Sequence, residues 1–113
     1  MLPTLDIQFP LPADAVLPDY GTDGLYGLAS SLRQWLHDRD AGWPPGEVSA
    51  GERAVVILLL IDGLGDRFLD SEGQGSALHA ARRRALTSVC PSTTASAVTT
   101  LLPGVPPAVH GLN

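Results

Sequence analysis

The chain has 113 residues, 44% of them hydrophobic, with seven Lys and Arg against twelve Asp and Glu and a formal net charge of -5. That length allows at most one domain, and the acidic balance excludes a nucleic-acid polymer or anionic membrane held by bulk charge. A single cysteine, Cys90, excludes an internal disulfide framework and a cysteine-based zinc knuckle.

The opening residues MLPTLDIQFP lack a basic n-region and a long apolar h-region, so no secretory signal is visible and a cytoplasmic location is the default expectation. Residues 1–21 carry Pro3, Pro10, Pro12 and Pro18 and read as an irregular lead-in. Residues 24–38 then predict a helix, because Leu25, Leu28, Leu32, Trp35 and Leu36 fall on one stripe. Thr22 or Asp23 is positioned to cap it. The turn-rich stretch Gly42-Trp43-Pro44-Pro45-Gly46 reads as a linker, leading past Glu52 into the run from Ala54 to Ile61. That run carries no polar side chain and is far too short to span a bilayer.

A short apolar run rich in branched residues reads as a strand buried on both faces, as in a parallel sheet of an α/β fold. It ends in Asp62-Gly63-Leu64-Gly65-Asp66. Beyond it, residues 66–70 predict a short helical turn, 75–84 a helix, and 85–89 a second strand. A helix from about Thr94 to Leu102 follows, stopped by Pro103-Gly104. A strand apolar on both faces needs helices above and below it and strands at each edge. So few elements cannot supply them, and the expectation is that the chain is the N-terminal part of a larger domain.

Two features carry chemistry. A carboxylate at the end of a strand, followed by glycines that permit close backbone approach, is a hard ligand suited to a divalent metal. An Asp-Gly turn also has an ordinary conformational use. A dinucleotide fingerprint would need glycine at position 68, which is Phe68, and a haloacid-dehalogenase-type aspartate pair would need a second Asp at position 64, which is Leu64. Both fail. The second feature is Pro91-Ser92-Thr93-Thr94-Ala95-Ser96. Its hydroxyls suit a helix cap, and a threonine at a helix N-terminus also lies where a phosphoryl group is welcome. Metal coordination would bring its alkoxide within reach near neutral pH.

The segments VVILLLIDGLGDRFL and LTSVCPSTTASAVTTLLPGVPPAVHGL together resemble the N-terminal half of the alkaline phosphatase superfamily, in its type I phosphodiesterase/nucleotide pyrophosphatase branch. The upstream LPDYGTDGLYGLASSL is similar to the segment preceding that core in bacterial members, so the resemblance covers roughly residues 17–113. It implies a three-layer α/β/α fold with a mostly parallel central sheet, incomplete here. Residues 22–113 would be the core portion of one catalytic domain. It further implies two divalent metal ions, zinc in this branch, and hydrolysis of a small-molecule phosphate ester through a phosphorylated threonine.

Residue by residue, Asp62 matches the strand-end aspartate that binds one zinc. Thr94 matches the nucleophile, which is also a metal ligand, by counting back from Gly104, Pro107, His110 and Gly111, with Thr93 as the rival register. The family's remaining Asp and His ligands have no match in this chain, and its usual Thr-Gly after the nucleophile helix is Pro103-Gly104. A non-catalytic fragment of such an enzyme is the alternative, or a phosphomutase-like member of the superfamily. The sulfatase branch fails, because Cys90 is followed directly by Pro91 and no Arg lies in that stretch.

The remaining polar residues have structural readings. His37 and His79 lack partners at metal spacing, His110 reads as a hydrogen-bonding strut, and Arg82-Arg83-Arg84 as a solvated helix end. Cys90 reads as a small buried hydrophobe.

Overall fold

A computed structural model describes residues 10–38, 55 and 57–112. The linker with Trp43, Glu52, Ala54 and Val56, the first nine residues and Asn113 lie outside the described residues. Among the described residues there are five helices: α1 (Leu25–His37), α2 (Asp66–Ser71), α3 (Ala77–Ala81), α4 (Thr94–Leu101) and α5 (Pro107–His110).

Local chemistry sets the short helices. Ser76 caps α3 by accepting from the His79 N–H at 3.1 Å, and Thr93 caps α4 by accepting from the Ser96 N–H at 3.3 Å. Helix α5 begins with Pro107 and ends at Gly111, whose φ of 71° is left-handed. Helix α1 follows its apolar stripe, but its N-cap is Gly24 and makes no side-chain cap bond, so neither Thr22 nor Asp23 takes that role.

The α/β expectation is not met. Among the described residues there is no sheet, and the strand-like contact that exists is an isolated parallel bridge between Gly24 and Thr87. Of the expected first strand, Val55 and Ile57–Ile61 carry no strand structure and stand open to solvent, Val55 at 88% and Ile57 at 86% exposure. Its expected neighbour, residues 85–89, has bonded elsewhere. Thr87 donates its N–H to the Asp23 carbonyl at 3.0 Å and accepts from the Leu25 N–H at 2.9 Å. Its hydroxyl accepts from the Asp19 N–H at 2.7 Å. Thr87's backbone groups are thereby used by the turn before α1. A run apolar on both faces is stable only between partner strands and covering helices, and the described residues offer it neither. The three-layer α/β/α architecture is therefore replaced by a helical arrangement.

That turn is built on Asp19, whose carboxylate accepts from the Gly21 N–H at 2.6 Å and the Asp23 N–H at 3.0 Å. Tyr20 extends the clasp: its hydroxyl accepts from the Cys90 N–H at 3.1 Å, and its ring lies 6.2 Å from that of Tyr26. Cys90 itself is exposed, contrary to the buried reading.

Helix α1 packs on α4, and α4 on α5. Trp35, Ala29 and Val89 form the buried apolar core, at 3%, 2% and 2% exposure. Burying an indole removes some 150–250 Å² from water, at most about 4–6 kcal/mol. Leu36, on the same predicted stripe, stays 62% exposed. No helix among the described residues is long and apolar enough to cross a membrane.

Candidate functional site

Asp62 lies in the turn that follows the apolar run, and Gly63 makes the turn possible with φ of 76°. Thr94 is the first residue of α4. The fold brings the two together: the Thr94 hydroxyl lies 3.5 Å from Oδ1 and 3.4 Å from Oδ2 of Asp62. Thr93 is used differently, because its hydroxyl accepts from the Ser96 N–H and its carbonyl from the Ala97 N–H at 2.9 Å. Geometry separates the two threonines, one capping the helix and one facing the carboxylate.

The contact is longer than an ordinary O–H···O hydrogen bond, whose usual separation is about 2.7–2.8 Å. It has another reading. Two oxygen ligands each about 2.0–2.2 Å from a tetrahedral zinc ion stand about 3.3–3.6 Å apart. The observed separations of 3.5 and 3.4 Å fall in that interval as well. Among the described residues no group of three or more His, Cys, Asp and Glu is placed to hold a metal ion.

The N–H groups of Thr94 and Ala95 precede the first intrahelical acceptors of α4 and point out of its positive end. Both Asp62 and Thr94 are exposed, so a ligand reaches them from solvent. A recess of about 540 Å³ opens close by in sequence, its wall including Asp66, Arg67, Val89 and Ser92.

No family model matches the chain, and no curated protein or solved structure matches it. The functional reading rests on the residues themselves.

The arginine run does not face the pair as free charge. Arg82 binds Asp66 at 2.9 Å and Asp70 at 2.8 Å, and Arg84 binds Asp23 at 2.8 Å. Its hydrogen bond to Asp70, assisted by Asp66 and opposed by desolvation, holds the Arg82 guanidinium above its ordinary value. His79 stands 3.6 Å from Asp70, an ion pair when protonated. His110 meets its reading as a strut, with Nε2 3.0 Å from the Thr100 hydroxyl and Nδ1 accepting from the Leu112 N–H at 3.1 Å.

Sequence reasoning did not single out Asp19 or Thr100, and it counted Ser96 only among the hydroxyls suited to a helix cap. The Ser96/Thr100 spacing of i, i+4 within the hydroxyl-rich TASAVTTL is the signal available for the last two.

Proposed function

We propose that this chain carries the nucleophile of a metal-dependent phosphoric ester hydrolase of the phosphodiesterase and nucleotide pyrophosphatase kind. The observation that carries the reading is the Thr94 hydroxyl set against both carboxylate oxygens of Asp62 at the N-terminus of α4. The likeness of the segments around these two residues to that branch of the alkaline phosphatase superfamily supports it.

Asp62 and Thr94 would hold one of two divalent ions, zinc by that likeness. Bound there, it would lower the pKa of the hydroxyl and offset charge on the transferred phosphoryl group. Asp62 orients the Thr94 oxygen and accepts its proton's hydrogen bond while the hydroxyl is neutral. The free N–H groups of Thr94 and Ala95 receive the phosphoryl oxygens. Attack would form the Oγ–P bond as the bond to the leaving oxygen breaks, with the Thr94 hydroxyl proton passing to solvent and the leaving alkoxide taking a proton from solvent. Water would then cleave the Oγ–P bond, releasing the phosphate product and restoring the hydroxyl.

Zinc sites that do catalysis use about three protein ligands plus an open position. Asp62 and Thr94 would be two, so the further ligands would have to come from outside the described residues. The same observation favours a second reading, a non-catalytic piece that binds zinc weakly and turns nothing over. Zinc-dependent hydrolysis of an aryl phosphodiester separates them. Turnover that is lost with Thr94→Ala supports the enzyme, and no turnover at any zinc concentration supports the second reading.

A further inference from the structure

We propose that His110 is a protonation-sensitive latch that holds the turn after α5 onto α4 in its neutral form and releases it when the imidazole gains a second proton.

The argument follows the hydrogens. The Leu112 N–H can only donate, so His110 Nδ1, 3.1 Å away, accepts and carries no proton. The ring proton is then on Nε2 and donates to the Thr100 oxygen at 3.0 Å. Thr100 in turn donates its hydroxyl proton to the Ser96 carbonyl at 2.9 Å. Ser96 closes the circuit by donating its hydroxyl to the Leu112 carbonyl at 2.9 Å. Every donor has one acceptor, and both ring nitrogens are used. Ser96 and Thr100 are fully buried at 0% exposure, so their side of the circuit lies where lost partners are not replaced freely by water, whereas the Leu112 to His110 link lies at the surface.

A second proton has one place to go, Nδ1, where it meets the Leu112 N–H donor to donor. Helix α4 (TASAVTTL), the rest of α5 (PAV) and Gly111-Leu112 carry no charged side chain. From α1, which packs on α4, Arg33 bonds the Pro103 carbonyl at 3.3 Å and is itself a cation, and His37 in its last turn is exposed. Protonation therefore opposes the Nδ1 bond, and no side-chain carboxylate of α4, α5 or Gly111-Leu112 takes its place. The first link to open is Leu112 onto His110, and the Ser96 to Leu112 bond, two residues beyond Thr94, loosens with it. The inference stands whether or not Thr94 is a nucleophile.

The test is a pH titration of the intact chain by NMR, following the His110 ring protons together with amide exchange of Leu112 and, as a control, Leu28 in α1. The latch predicts that Leu112 loses roughly tenfold in exchange protection with the midpoint of the His110 ring, while Leu28 keeps its own. It also predicts that His110→Asn, which keeps an acceptor near Nδ1 but cannot titrate, makes Leu112 protection independent of pH across that range. A His110 ring that titrates while Leu112 protection stays constant overturns the latch. So does a Leu112 transition at another midpoint, a ring that never titrates, or one that survives in His110→Asn. Should that variant fold poorly, the wild-type comparison decides alone.

Discussion

The hydroxyl of Thr94 faces both carboxylate oxygens of Asp62, at 3.5 and 3.4 Å, from the first turn of a helix whose cap is the neighbouring Thr93. Adjacent threonines therefore have separable roles, and substitution separates them. Thr94→Ala is expected to abolish zinc-dependent phosphodiester hydrolysis while the melting temperature barely moves, because the residue is exposed. Thr93→Ala is expected to keep turnover and lose about 0.5–2 kcal/mol of stability as its cap bond is removed. Calorimetry and an aryl phosphodiester assay on both variants check this. The reverse pattern would transfer the nucleophile to Thr93.

Gly27→Ala is expected to destabilise although alanine is the better helix former. A Cβ at Gly27 would be driven into the carbonyl oxygen of Gly21, in the turn built on Asp19. The propensity gain of about 1 kcal/mol is outweighed by a backbone clash of the kind that costs about 1–3 kcal/mol or more. Urea unfolding measures the difference, with Gln34→Ala, at an exposed position of the same helix, expected within about 0.5 kcal/mol of wild type.

Thr100→Val keeps the shape of a fully buried side chain and removes its oxygen. The His110 Nε2–H then loses its acceptor, and a loss of about 1–3 kcal/mol is expected. Thr100→Ser keeps the hydroxyl and is expected to lose less. Equal stability of Thr100→Val and wild type in denaturant melts would remove the circuit from the account of the fold.

How much of this was legible in the sequence follows the range of the interactions. Helices α1 and α4 were readable because their signals are local, the apolar stripe from Leu25 to Trp35 for one and Thr93 with Pro103 for the other, although the cap of α1 was misread. The pairing of Asp62 with Thr94 was implied by the family resemblance and not by any local pattern, and the structure brings those side chains to 3.4–3.5 Å. The sheet was not readable. Whether Ile57 to Ile61 is buried depends on what pairs with it, and Thr87 instead bonds the turn from Asp19 to Leu25, more than sixty residues earlier. No periodicity within either segment encodes that choice. Helix α5 was missed because four residues show no period, although Pro107 at its start and Gly111 past its end mark it.

The ion cluster on α2 gives a prediction of sign. The Arg82 guanidinium is raised by Asp70 and Asp66, so its contribution is complete below the unfolded-state value and is lost only as pH rises through the folded one, in strong alkali. Between neutral and moderately alkaline pH the contribution stays constant. Salt is the effective lever, because the pairs are partly exposed. The melting temperature of the wild type is expected to fall with ionic strength more steeply than that of Arg82→Gln. Parallel salt dependences would mean that the cluster adds nothing measurable.

The measurement that bears most directly on the central claim is a trapping experiment. The protein at its native length is incubated with zinc and an aryl phosphodiester, quenched in acid, digested and analysed by peptide mass spectrometry. The account predicts a phosphoryl group on Thr94, present in Thr93→Ala and absent in Thr94→Ala and without zinc. Hydrolysis with no adduct at Thr94, or an adduct that persists in Thr94→Ala, would contradict it.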